Sequence, residues 1–192
     1  GLPIEKLIIA TNNNDVLHKL FSENNYKKGK VSETLAPSMD ISVASNFERL
    51  LYNLHANNSE SLNQVMSSFP EIDITIPEES WNLIQDFFLS YSVSDEEILE
   101  EILATYNEHN YLLDPHTSTG LRAAKELASS EPVVTMATAH PSKFNEAINK
   151  VIDEDLIDMP ERLSSIVEKE EEFTVLPNDT DKVREYILSS VK

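Results

Sequence analysis

The chain has 192 residues, 40% of them apolar, which is enough for one real core or for one core with a helical appendage. Its 34 acidic residues against 15 basic ones leave a formal charge of −19, which repels the backbone of nucleic acids and the surface of anionic membranes. No apolar run is long enough for a membrane span, no basic-then-apolar start resembles a signal peptide, and the lack of cysteine excludes disulfides and thiolate metal sites, which suits a cytoplasmic protein.

In chain order, Lys6 to Ala10 predicts a strand. Thr11 or an adjacent Asn is placed to cap the helix that Val16, Leu17, Leu20 and Phe21 mark out. Asn24 to Lys30, with Gly29 and three lysines, has the composition of a loop. Phe47, Leu50, Leu51 and Leu54 predict a second helix with Asn46 as its cap. From about 57 to 110 the pattern is helical throughout: Leu62, Val65 and Met66, then Trp81, Ile84, Phe87 and Phe88, then Ile98, Leu99, Ile102, Leu103 and Tyr106. Ser94, with Glu97 three residues on, predicts a capping box before the last of these helices.

Asp114-Pro115 places a capping acid before a helix-starting proline, and Leu121, Ala124, Leu127 and Ala128 give that helix its buried face. Gly120 costs about 1 kcal/mol inside a helix relative to Ala, which the close approach of another backbone would justify. Val133 to Ala137, too short for a helix and without clean alternation, predicts a strand buried on both faces of a parallel sheet. Pro141 then opens a helix continued by Phe144, Ala147 and Ile148. The remainder reads as short acidic helices, with Glu168 to Glu172 solvated and Val183, Ile187, Leu188 and Val191 on a final amphipathic helix. In open α/β sheets ligands bind outside the carboxyl ends of strands, so Thr138 and His140 fall where a ligand would sit.

Four stretches, in this order, carry a family resemblance. They are Ala10-Thr11-Asn12-Asn13-Asn14-Asp15; Pro37-Ser38-Met39-Asp40-Ile41 with Ser45-Asn46-Phe47-Glu48-Arg49; Leu113-Asp114-Pro115-His116-Thr117; and Thr138-Ala139-His140-Pro141-Ser142-Lys143-Phe144. Together they resemble the signatures of threonine synthases, pyridoxal-phosphate enzymes that convert O-phosphohomoserine to threonine, in the longer form found in fungi and many bacteria. The likeness covers roughly residues 1–54 and 111–150.

The resemblance implies an α/β fold, part of the large domain of a fold-type II pyridoxal-phosphate enzyme with an inserted helical subdomain. Residues 1–54 form the first βα part, 55–110 the helical insertion, 111–150 a helix, strand and helix completing the large domain, and 151–192 an acidic C-terminal helical extension. It further implies that the Schiff-base lysine and the Asn/Gly-rich loop for the cofactor phosphate precede Gly1. The chain is then the C-terminal portion of a longer enzyme, inactive by itself, with the missing N-terminal portion as partner and O-phosphohomoserine as the substrate of the whole.

Thr138 resembles the family's partner for the ring nitrogen of pyridoxal phosphate. A neutral hydroxyl suits an unprotonated pyridine nitrogen, where a carboxylate would stabilise the protonated form. Read on its own, Thr138 equally ends a strand or back-bonds to the main chain. Asp114 lies at a possible cleft wall but is better explained as a helix cap. His140 and His116 are positioned to touch substrate or carry protons, yet neither has a second ligand at metal spacing, so no metal site is expected and both read as structural. Lys143, Arg49 and the lysines of the 27–30 loop are the cations available for a substrate phosphate, and Asn12 sits just past a strand, as a cleft residue or as ordinary turn chemistry. Two other readings stay open: a free-standing acidic interaction domain without catalysis, with the helical stretch from 57 to 110 as its binding face, or another fold-type II pyridoxal-phosphate lyase or synthase.

Overall fold

A computed structural model describes residues 2–127, 130–153, 156–167 and 169–191. It divides into two compact units, Gly1–Asp158 and Met159–Lys192. Ala128 and Glu168, which the sequence assigns to a buried helix face and a solvated run, lie outside the described residues.

The first unit is organised on two parallel strands, β1 (Leu7–Thr11) and β2 (Phe88–Ser92), in register from Leu7 opposite Phe88 to Thr11 opposite Ser92. Alternate side chains feed two separate cores, as the pleat requires. Ile9 and Phe88 pack on a cluster built by Val16, Leu20 and Phe21 of α1 (Val16–Glu23), with Tyr26, Phe47, Leu51 of α2 (Glu48–Leu54) and Ile84 of α4 (Glu78–Phe87). Partly buried Leu62, Val65 and Met66 of α3 (Ser59–Met66) extend it. Ile8, Ala10 and Tyr91 pack on a second cluster of Val93, which follows β2, with Ile98 and Ile102 from α5 (Asp95–His109), Ala123 from α6 (Pro115–Leu127), and Ile148 from α7 (Asn145–Ile148). Helices on both faces of a parallel pair make an α/β arrangement. The second unit contains α8 (Glu161–Val167) and α9 (Thr180–Ser190), the latter capped by Asp179 through the amides of Asp181 and Lys182.

Several sequence expectations are corrected here. The stretch from 57 to 110 is not all helix, because α4 ends at Phe87 and the chain passes directly into β2, so Phe88 belongs to the sheet. Val133 to Ala137 is extended but pairs with no strand; Val134 is 84% and Met136 73% exposed, so the stretch is not buried on both faces among the described residues. A strand exists only where a neighbour offers its backbone groups, and among the described residues none pairs with this stretch. Neither Thr11 nor an Asn side chain caps α1, whose cap residue is Asp15, held by an ion pair with Lys19 at 2.8 Å. Asn46 lies inside a 3-10 turn, Ser45–Phe47, that leads into α2. Gly120 accommodates a side chain rather than a backbone: a Cβ there would stand 3.2 Å from the Thr135 methyl.

The capping box of α5 forms as expected. Ser94 Oγ accepts from the Glu97 amide at 3.3 Å, and Glu97 returns the bond by accepting from the Ser94 amide at 2.8 Å and from the Tyr91 hydroxyl at 3.0 Å. Burial pushes the Glu97 carboxyl up, but the bonds from Ser94 and Tyr91 and the charge of Arg122 outweigh it and hold it below its ordinary value. A carboxyl lowered by folding stabilises fully above its unfolded value and loses that contribution as pH falls through the folded one. Glu97→Gln is therefore expected to cost about 1 kcal/mol at neutral pH, the margin of a charge-assisted over a neutral hydrogen bond. Urea denaturation at neutral and acid pH checks it, because the cost should vanish in acid, where wild-type Glu97 is itself neutral.

Candidate active site

The site is built around the start of α6. Asp114 precedes Pro115, whose fixed φ and missing N–H suit the first helical position. Its side chain, 1% exposed, caps the helix by accepting from the amides of His116 at 2.9 Å and Thr117 at 3.4 Å. The same Oδ1 accepts from His116 Nδ1 at 3.0 Å, and Oδ2 accepts from the Thr117 hydroxyl. Burial raises the Asp114 carboxyl, yet the four bonds from His116 and Thr117 overcome it and leave the group below the usual carboxylate range, ionised and able only to accept.

His116 is fixed in one tautomer by its neighbours. The Ser38 amide donates to Nε2 at 3.0 Å, so the ring proton resides on Nδ1, facing Asp114. The ring lies 4.6 Å from that of Phe144, and Lys143 Nζ stands 5.8 Å over the other side chain of this pair. His116 is thus buried, with both ring nitrogens engaged. His140 is exposed and caps the 3-10 turn Pro141–Lys143, accepting from the Ser142 amide at 3.3 Å. Lys143 ends that turn, exposed to solvent.

Thr138 is exposed and tied to this cluster by its main chain: its amide donates to Thr117 Oγ1 at 3.1 Å. The two hydroxyl oxygens are 3.5 Å apart, too far for a strong bond. Because the Thr117 proton is directed at Asp114, the Thr117 oxygen can only accept across that gap. Thr138 is neither sunk in packing nor engaged as a helix or strand back-bonder.

Asn12, considered above as a cleft residue or as turn chemistry, is engaged in a buried hydrogen-bond network. Its side chain is 0% exposed, and Nδ2 donates to Thr34 Oγ1 at 2.7 Å, Asp40 Oδ1 at 2.8 Å and the Ala36 carbonyl at 3.3 Å. Asn14 joins the same carboxylate at 2.8 Å and accepts from the Ser32 amide at 2.8 Å. The segment from 34 to 40 is therefore a strap. It is bound on one side to the end of β1 and, through Ser38, to His116 on the other.

Thr117 carries no assigned role in the sequence reading, although an Asp-Pro-x-Thr spacing puts a hydroxyl at the third helical residue, next to the cap. Its partner Thr138 is 21 residues away, which no local pattern reveals. A cavity of about 150 Å³ lies elsewhere, in the first core, lined by Leu51, His55, Val65 and Ile76, and shares no residue with this cluster. Among the described residues no three His, Cys, Asp or Glu side chains are grouped to hold a metal, and no helix is long and apolar enough to cross a membrane.

This α/β fold recurs in solved enzymes. A pyridoxal-phosphate-bound threonine synthase from Brucella melitensis superposes with a TM-score of 0.86 at 37% identity, over 97% of this chain and 40% of that one. The yeast threonine synthase gives 0.83 at 31%, over 98% of this chain and 42% of that one. The fold is accordingly part of a fold-type II pyridoxal-phosphate enzyme, with helices interposed between its two strands. The family described as threonine synthase, C-terminal, matches residues 117–187. Among curated relatives, the threonine synthase of Pseudomonas aeruginosa is 42% identical over 190 residues, 97% of this chain and 40% of that protein, and the Saccharomyces cerevisiae enzyme is 38% identical over 79% and 34% respectively. The chain belongs to the threonine synthase family, whose C-terminal portion it matches, and it spans about 40% of the length of these relatives.

Proposed function

We propose that this chain is the C-terminal part of a full-length enzyme that converts O-phospho-L-homoserine and water to L-threonine and phosphate with pyridoxal phosphate as cofactor. The names of its relatives and the cofactor bound to one of its structural neighbours support the reaction class. The lysine that carries the cofactor and the loop that holds its phosphate belong, on this reading, to the residues outside this chain, which alone is inactive. Location in the cytoplasm follows from the biosynthetic role.

The observation that carries the assignment of a residue is the Thr138 hydroxyl, exposed beside a buried, hydrogen-bonded cluster and only weakly engaged by its nearest hydroxyl neighbour, 3.5 Å away. When bound, pyridoxal phosphate supplies the electron sink for proton removal at Cα and Cβ and for departure of phosphate from Cγ. Thr138 donates a hydrogen bond to the ring nitrogen and, being neutral, leaves that nitrogen unprotonated, which makes the sink a gentle one. Lys143 and His140, exposed on the same turn, line the approach to the site. Asp114 and His116 act from below, through hydrogen bonds rather than by touching substrate.

The test uses the full-length protein loaded with pyridoxal phosphate. Phosphate and threonine should appear together from O-phosphohomoserine, and failure to form threonine rejects the reaction. Thr138→Val is expected to displace the cofactor absorption band and to lower turnover roughly tenfold, the worth of one hydrogen bond of about 1.4 kcal/mol. An unmoved band with unchanged turnover removes Thr138 from the site.

A further inference from the structure

Thr138 stands on a stretch that does not hold itself in place. Among the described residues, 131–139 makes no main-chain hydrogen bond to another main-chain group. What tethers Thr138 is one side chain, the Thr117 hydroxyl, which accepts the Thr138 amide at 3.1 Å. Thr117 is 6% exposed and is itself oriented, since its proton goes to Asp114, a carboxylate 1% exposed that His116 and the helix amides also engage. The Ser38 amide holds the far nitrogen of His116, so the chain of bonds runs unbroken from the strap to Thr138.

A hydroxyl gives one proton and offers two lone pairs. With its proton committed to Asp114, the Thr117 oxygen faces Thr138 only as an acceptor; it takes the amide proton and cannot compete as a donor for the Thr138 oxygen. At 3.5 Å the Thr117 oxygen is too distant to hold the Thr138 proton strongly, so the Thr138 hydroxyl is only weakly engaged by the cluster.

Resting on the reading of Thr138 as the ring-nitrogen donor, we propose that Thr117 and Asp114 are positioning residues for the cofactor: Asp114 orients the Thr117 hydroxyl, and Thr117, by accepting the Thr138 amide, fixes the place of Thr138. Neither touches cofactor or substrate. Their effect reaches the ring only through Thr138.

The experiment compares Thr117→Val, Thr117→Ser and Thr138→Val in the full-length protein with pyridoxal phosphate bound, reading amide hydrogen exchange at residue 138 and the cofactor absorption band. Thr117→Val should speed exchange at the Thr138 amide about tenfold, the loss of one hydrogen bond, and should displace the band in the direction that Thr138→Val displaces it. Thr117→Ser, which keeps the hydroxyl, should restore both. Unchanged exchange in Thr117→Val overturns the tether. Faster exchange with an unmoved band, while Thr138→Val does move it, overturns the positioning role although the tether exists. A band that Thr138→Val itself leaves unmoved rejects the ring-nitrogen reading, and the proposal falls with it.

Discussion

Tyr26→Ala is expected to cost about 3–5 kcal/mol of stability, the usual penalty for emptying a buried aromatic site. Tyr26 is 1% exposed, with its ring 4.9 Å from Phe47 and stacked at 5.0 Å on Phe69. Its hydroxyl accepts from the Ala44 amide at 3.0 Å and donates to the Ala44 carbonyl at 3.2 Å, while its main chain exchanges two 2.9 Å bonds with Ile74. One side chain thus joins three otherwise separate loops. Tyr26→Phe keeps the ring but strands both Ala44 groups, for an expected loss of about 1–3 kcal/mol. Burial pushes the hydroxyl above its ordinary value of 10.0, partly opposed by the Ala44 bond and reinforced by the Glu48 charge. A phenol raised by folding keeps its contribution below the unfolded value and loses it as pH climbs through the folded one, so the wild-type advantage over Tyr26→Phe should shrink in strong alkali. Urea denaturation followed by Trp81, the chain's one tryptophan, measures all of this. Wild-type midpoints for both variants would refute the assignment.

Asp40→Ala is the second large effect, expected at about 2–4 kcal/mol. The carboxylate gathers four donors: Asn12 Nδ2 and Asn14 Nδ2 at 2.8 Å each, the Thr34 hydroxyl at 2.7 Å and the Thr34 amide at 3.0 Å. The Asn donors retain other acceptors, but among the described residues the half-buried Thr34 amide has no other, so it loses its protein partner. Asp40→Asn offers one acceptor oxygen in place of two and should fall between wild type and Ala. Because Thr34 and Asp40 bond each other directly, Thr34→Val with Asp40→Ala should be non-additive by about 0.5–3 kcal/mol. Strict additivity in the double-mutant cycle would show the network to be only geometric proximity.

Much of this was legible locally. The cap at Asp114, the proline after it and the box at Ser94 and Glu97 depend on residues within one helical turn, and each forms as the spacing implies. What escaped was whatever needs a partner elsewhere in the chain. Phe87 and Phe88 continue the stripe of Trp81 and Ile84, so a five-residue strand beginning at Phe88 is hidden by the ten-residue helix before it. Val133 to Ala137 has the composition of a strand, but pairing is a property of two segments. Tyr26 sits in a Lys-rich loop whose composition says surface; only Ile74, Phe69 and Ala44, folded around it, make that position interior. Asn12 likewise announces a polar residue after a strand without revealing that Asp40 waits 28 residues later.

The pairing of Leu7 with Phe88 and of Thr11 with Ser92 sets a timetable for synthesis. Among the described residues the earlier strand pairs with one mate only, and that mate lies 81 positions downstream (88 − 7), so this pairing waits until it too has been made. At about 5–20 residues per second that is a wait of roughly 4–16 seconds. Throughout it the segment Leu7-Ile8-Ile9-Ala10, uncharged and rich in branched side chains, lacks that mate. Chaperone demand during translation should therefore concentrate in this interval and ease once residue 92 has emerged.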